Sequence, residues 1–222
     1  MTDLKLVIFD VDGTLVDSQG DILAAMQAAF DSEELVVPAR KDVLAIVGLS
    51  LPEAMARLAP DVAEARRSQM VEAYKAAYAA HVTAKASPLY DGIPALLDRL
   101  AAIDELLLGV ATGKSRRGLT RLLAEHNMTQ RFVTTQVSDN HPSKPHPAML
   151  FSALEDTGLD AAQAVMIGDT SYDMDMAQAA GIRGIGVTWG YHPASALQAA
   201  SRIVDDTQAL GAAIADLLEI KL

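Results

Sequence analysis

Two aspartates separated by one residue, Asp10 and Asp12, stand directly behind a short apolar run, Leu6-Val7-Ile8-Phe9, and lead into Gly13-Thr14. Two carboxylates so spaced can divide two tasks. Asp10, kept ionised by a nearby cation, can attack an electrophile, while Asp12 carries a proton to or from a leaving group. Environment rather than residue type separates two such pKa values. Asp and Gly after a strand are also ordinary turn residues, so the pair alone leaves chemistry and turn formation both open.

Three further polar clusters make sense beside Asp10. Val110-Ala111 leads into Thr112-Gly113-Lys114-Ser115. There a hydroxyl, a glycine amide and a helix start can form an anion site or simply a helix cap. Gly113-Lys114-Ser115 resembles the end of a phosphate-binding P-loop, but that motif needs glycine where Leu108 stands. Lys144 precedes Pro145 in Ser143-Lys144-Pro145-His146-Pro147, where the prolines favour an extended lysine and a helix start. A lysine held there can neutralise a nucleophilic carboxylate and a phosphate together; the alternative is a solvated lysine. His141 and His146 read as loop residues, since no third histidine or cysteine completes a metal site. Val165-Met166-Ile167 leads into Gly168-Asp169-Thr170-Ser171-Tyr172-Asp173. Asp10 and Asp169 on neighbouring strand ends match the oxygen-rich, partly hydrated shell that Mg²⁺ prefers. Asp173 also suits the first turn of a helix, and Asp175 reads as solvated.

These clusters need elements to hold them. The run at residues 6–9 reads as a buried strand, with Asp10 at its carboxyl end, where open α/β sheets bind ligands. From Ser18 to Ala80 the text is helical. Ser18 precedes a helix through Ile22, Met26 and Phe30; a second follows Pro38 and stops at Gly48. Ser50 and Glu53 fit a capping box, and residues 61–80 form a longer helix with Met70, Tyr74, Ala77 and Tyr78 on one side. Residues 87–222 then alternate helix and strand, with strands expected at 106–111, 132–135, 164–167 and 184–187. Intervening helices are expected at 93–100, 115–125, 147–157 and 173–180, and a last one at about 206–218. Such alternation implies an α/β fold, a doubly wound, Rossmann-like parallel sheet with helices on both faces.

The bulk composition narrows the partners. The 222 residues carry a formal net charge of −11, which disfavours nucleic acid and requires local positive charge for any anionic substrate. There is no cysteine, hence no disulfide or thiolate metal site. No stretch reads as a signal peptide or membrane span, so a cytoplasmic protein with no membrane partner is expected.

The order Asp-x-Asp-Gly-Thr, Thr, Lys-Pro, Gly-Asp-x-x-x-Asp resembles the haloacid dehalogenase-like hydrolase superfamily, over essentially the whole chain. It is most similar to the phosphoglycolate phosphatase-like branch, which inserts a helical cap after the first motif. The resemblance implies a core domain from residues 1–16 and 87–222 and a helical cap domain from residues 17–86. It implies that Asp10 is the nucleophile forming an aspartyl-phosphate and Asp12 the general acid/base. Thr112, with Gly113, and Lys144 would bind the phosphoryl group. Mg²⁺ would be held by the Asp10 side chain, the Asp12 carbonyl and Asp169, with Asp173 acting through water or by orienting Lys144.

Asp12 and Gly13-Thr14 favour a phosphomonoester phosphatase over the dehalogenases and P-type ATPases of the superfamily, and Thr14 leans against a sugar-phosphate mutase. Specificity is expected from the cap, with Arg40, Lys41 and the Gly48-Leu49-Ser50 turn as candidates. Trp189 and Tyr191 read as packing residues that could border the mouth. The implied substrate is a small phosphorylated metabolite: phosphoglycolate, pyrophosphate or another ester. A receiver-like phosphoacceptor domain shares the Asp, Thr, Lys and acidic metal site, but chain length, the helical insert and Asp12 argue against it. Intact motifs argue against a non-catalytic binding protein.

Overall fold

The computed structural model describes residues 4–84 and 87–221. Its centre is β1 (Lys5–Phe9), flanked by β2 (Leu106–Thr112) and β4 (Ala164–Gly168). The sheet continues through β3 (Thr134–Val137) on one side and through β5 (Arg183–Val187) and β6 (Arg202–Val204) on the other. The strand order is β3-β2-β1-β4-β5-β6, and every pairing is parallel.

The period of two along β1 fixes its place. Val7 and Phe9 point into one hydrophobic cluster, with α5 (Ile93–Ala101) and α9 (Thr207–Leu218). Leu6 and Ile8 point to the opposite face, against α7 (Ala148–Thr157) and α8 (Ser171–Ala179). All four side chains are fully buried, each contributing roughly 1.5–3 kcal/mol relative to exposure. A strand buried on both faces must be apolar throughout, and its polar residues are therefore confined to the end, where Asp10 stands.

Between β1 and α5 the chain forms α1 (Gln19–Asp31), α2 (Arg40–Leu44), α3 (Leu51–Leu58) and α4 (Glu64–Ala84). Their apolar faces meet in a separate cluster of Ile22, Met26, Phe30, Val43, Met55 and Met70, with Tyr74 and Tyr78 packed on it. The two chain crossings between these helices and the sheet run side by side. Asp17 N–H donates to Pro88 O at 2.9 Å and Tyr90 N–H to Leu15 O at 3.0 Å. Among the described residues, no helix is long and apolar enough to cross a membrane.

Four local expectations are corrected. The strand expected at 132–135 begins two residues later. Phe132 packs into the core, Val133 points outward at 59% exposure, and pairing with β2 starts at Thr134. A sixth strand, β6, extends the sheet beyond the expected last strand; its three residues are too few to show a period. Ser50 occupies the N-cap position of α3, but the capping box does not form: its hydroxyl makes no capping bond, its N–H donates to Ser143 Oγ, and the Glu53 side chain pairs with Arg57 at 3.0 Å. α8 starts at Ser171 rather than Asp173, since Thr170 caps it and Asp173 closes a capping box.

Candidate active site

The carboxyl ends of β1, β2 and β4 converge on Asp10. Its backbone N–H continues the ladder to Ile167 O at 2.9 Å, which fixes the residue beside Asp169. Gly13 makes the turn that follows with φ +84°, and a Cβ there would lie 2.2 Å from Asp169 Oδ2. Only glycine suits both that backbone and that approach.

Lys144 is buried completely and donates to Asp10 Oδ1 at 2.7 Å and to Asp173 Oδ1 at 2.6 Å. The sequence left open a solvated lysine; the structure buries it between two carboxylates, after a loop whose Lys144–Pro145 peptide is cis. Burial disfavours the Lys144 ammonium, but Asp10 and Asp173 outweigh it and hold the pKa above its ordinary value. Burial pushes the Asp10 carboxyl up to about 7 against the pull of Lys144, and Asp173 adds to the rise. Asp169 is raised as well, by burial first and then by its neighbours Asp173 and Asp10. It accepts from Thr14 Oγ1 at 2.9 Å and from Tyr191 N–H at 2.8 Å.

Oxygen Oδ2 of Asp10 is buried without a hydrogen-bond partner among the described residues. Asp10, Asp169 and Asp173 bring carboxylate oxygens within 4.8 Å of one another. Among the described residues, these three buried carboxylates share the charge of Lys144 alone, so the cluster is short of positive charge. An all-oxygen, acid-rich cradle short of positive charge fits a hard divalent cation.

Asp12 takes a different set of partners. Ser18 Oγ donates to its Oδ1, and Lys114 Nζ donates to Oδ1 at 2.7 Å and Oδ2 at 2.9 Å. Lys114 also donates to the hydroxyl of Tyr78 at 3.0 Å, on α4. Burial opposes the Lys114 charge; Asp12 and Tyr78 override it and raise its pKa. The hydroxyl of Ser18, placed by the sequence before a helix, is thus spent on Asp12 rather than on capping α1.

A cavity of about 640 Å³ opens over Asp10 and Asp12 and is lined by Thr112, Gly113, Lys114 and Ser50 among others. Thr112 is buried at the end of β2, its Oγ1 accepting from Lys114 N–H at 3.2 Å. Ser115 caps α6 (Arg116–Glu125) through Gly118 N–H. Ser50 is held across the seam by its N–H to Ser143 Oγ at 2.8 Å. Arg40 is not brought to this cavity: it bonds Gln19 and borders a separate cleft with Lys41, Tyr191 and His192. Asp175 is exposed. His141 bonds Gln136 at 2.8 Å.

Sequence reading missed Lys114, Ser18, Thr14, Tyr78 and the backbone of Tyr191 as site groups. Lys114 carried a signal, its place two residues after Thr112, and rejecting the P-loop set it aside. Trp189 is indeed a packing residue, donating to Thr14 O at 3.1 Å. For Tyr78 and Tyr191 no local pattern exists, because Tyr78 meets Lys114 and Tyr191 meets Asp169 only through the fold.

The family model for haloacid dehalogenase-like hydrolases matches residues 7–187. The chain belongs to that family. It is 36% identical over 216 residues to the protein named "Probable phosphatase IndB" from Dickeya dadantii, covering 94% of this chain and 93% of that one. It is 28% identical to the phosphoglycolate phosphatase of Agrobacterium fabrum, over 97% and 94% of the two chains. A solved haloacid dehalogenase-like family hydrolase from Streptococcus pneumoniae superposes with a TM-score of 0.82 at 26% identity, covering 96% of this chain and all of that one. The chain is therefore a haloacid dehalogenase-like hydrolase, similar to proteins that carry phosphatase names.

Proposed function

We propose that this hydrolase is a Mg²⁺-dependent phosphomonoester phosphatase that acts on a small, phosphoglycolate-like metabolite through an aspartyl-phosphate on Asp10. The observation that carries the reading is the state of Asp10: one oxygen is tied to Lys144 and the other is buried, unpartnered, beneath the cavity. A carboxylate oriented by one oxygen presents the other for attack.

Asp10 Oδ2 bonds to phosphorus as the ester P–O bond breaks, and Asp12 hands its proton to the departing oxygen. Asp12 then takes a proton from water, whose oxygen bonds to phosphorus as the bond to Asp10 breaks, releasing inorganic phosphate. Lys144 and Thr112 hold the transferring group, Gly113 lets the backbone approach it, and Lys144 offsets its charge. Phosphoryl transfer depends mostly on such positioning and charge stabilisation. Asp10, Asp169 and the Asp12 carbonyl would hold Mg²⁺, with Asp173 behind them; when bound, it neutralises charge on the phosphoryl oxygens. Residues 17–86 act as a cap that excludes water when seated, with Ser50 at its edge. Arg40, on the outer cleft, reaches substrate only if the cap shifts.

The test is phosphate release from a panel of small phosphate esters, 2-phosphoglycolate included, and from the anhydride pyrophosphate, with Mg²⁺ or EDTA and with Asp10→Asn as control. Release is expected to require the cation and to vanish in the folded variant. No release by folded, Mg²⁺-loaded protein, or wild-type rates in Asp10→Asn, sinks the proposal.

A further inference from the structure

Lys114 is a second buried lysine in the site, and the chemistry above gives it no part. Its backbone is fixed to the sheet: the N–H donates to Thr112 Oγ1 at 3.2 Å, and the carbonyl accepts from Ser138 N–H at 3.1 Å. Its side chain leaves that anchor and crosses the seam toward α4. The ammonium grips both oxygens of Asp12, at 2.7 and 2.9 Å, and donates to Tyr78 OH at 3.0 Å. It lies 4.8 Å from the centre of the Tyr78 ring. Tyr74, one turn earlier, stacks on Tyr78 with ring centres 5.9 Å apart and planes inclined by 14°. Ser18 holds the same carboxylate from the start of α1.

We infer that Lys114 is a positioning residue for Asp12, and that its bond to Tyr78 makes the seating of the inserted helices and the alignment of the acid/base one event. The inference rests on the role proposed for Asp12. A carboxylate with two soft torsions has many orientations; two charge-assisted bonds leave one. A carboxylate turned away from the reacting oxygen neither delivers nor accepts a proton. Tyr78 is the contact through which the inserted helices fix the ammonium, because the Tyr74 stack holds its ring. Lys144 serves Asp10 in parallel, so the two lysines divide the two aspartates between them.

The test compares wild type, Lys114→Met, Lys114→Arg and Tyr78→Phe, with Mg²⁺, on an alkyl phosphate and on p-nitrophenyl phosphate. Lys114→Met is expected to lower kcat on the alkyl ester by about 10²-fold, the low end for lost acid–base catalysis, with KM within about threefold of wild type. The nitrophenolate leaving group needs no proton, so Lys114→Met should still give a burst equal to the enzyme and accumulate phosphoenzyme. Lys114→Arg, with two N–H groups for the carboxylate, should recover part of kcat; Tyr78→Phe should lower it about threefold to tenfold. An unchanged kcat, a change confined to KM, or loss of the burst overturns the inference. Should Lys114→Met not fold, the Arg and Phe variants decide by the same criteria. Asp12→Asn separates the two readings: wild-type turnover in that folded variant removes Asp12 itself from catalysis and this inference with it. An impaired Asp12→Asn beside an unimpaired Lys114→Met overturns Lys114 alone.

Discussion

At the scale of the residue, Asp10 is an acid whose surroundings oppose one another. Burial raises its carboxyl from 3.8 to about 7, while Lys144 at 2.7 Å pulls the other way. The raised value has a thermodynamic consequence. Between roughly pH 4 and 7 the folded chain retains a proton that the unfolded chain has lost. The stability this group contributes is fully present below its unfolded pKa and disappears as pH rises through 7. Asp169 is shifted in the same direction and adds to the trend. Cation-free protein is therefore expected to melt at progressively lower temperature as pH is raised from about 5 to 8, and Asp10→Asn should flatten that slope. Thermal denaturation in EDTA across the range measures it; identical slopes for the two proteins would contradict the account.

At the scale of the element, Asp10, Thr112 and Asp169 are placed by strand ends and Asp173 by a helix start. Asp173 illustrates a double duty. It receives Lys144 on Oδ1, and on Oδ2 it accepts from Thr170 N–H at 3.1 Å and Thr170 Oγ1 at 2.7 Å, closing the start of α8. Asp173→Ala removes both functions. Its melting temperature should fall by an amount equivalent to about 0.5–2 kcal/mol, as for a lost cap, and its turnover by about 10–100-fold, as for a lost support to a metal site. Asp173→Asn keeps an acceptor for Thr170 and should recover the stability but not the turnover; full activity in Asp173→Asn would show that its charge is irrelevant. Gly113 shows the seam between the layers. A Cβ there would stand 2.6 Å from Gly48 O and 2.7 Å from Leu49 O, in the turn between α2 and α3. Backbone on both sides leaves the turn to give way. Gly113→Ala should unseat it and lower kcat/KM by on the order of 10²-fold, and steady-state kinetics on the best substrate of the panel would show otherwise if the seam is slack.

At the scale of the whole molecule, the chain is strongly acidic, with a formal net charge of −11, and collects buried carboxylates at the carboxyl edge of its sheet. Such an arrangement is costly until a cation enters. Mg²⁺ at about 100 times its dissociation constant should stabilise the fold by about 2.7 kcal/mol, which for a chain of this size raises the melting temperature by roughly 5–10 °C. Asp169→Asn should abolish that increment. A melting curve indifferent to Mg²⁺ would argue that the cluster does not bind it.

The sequence by itself determined the sheet's apolar strands and the polar residues at their ends, because a strand buried on both faces admits charge only where it stops. Asp10, Thr112 and Asp169 were legible for that reason, and the resemblance to haloacid dehalogenase-like hydrolases followed from their order. The sequence also marked the helical stretch between β1 and α5, through its three-to-four spacing of apolar residues. It misplaced β3 and omitted β6, where pairing partners rather than local pattern decide. Lys144 was expected beside a nucleophilic carboxylate, but only the tertiary structure decided that Lys114 meets Asp12. Lys144 lies 134 positions from Asp10 and Lys114 lies 102 from Asp12, and no local periodicity carries information across such separations. The same holds for Ser18, which has the composition of a helix cap and the position of an Asp12 partner. A hydroxyl bonds to whatever acceptor the packing brings within reach, and here the packing brought a carboxylate.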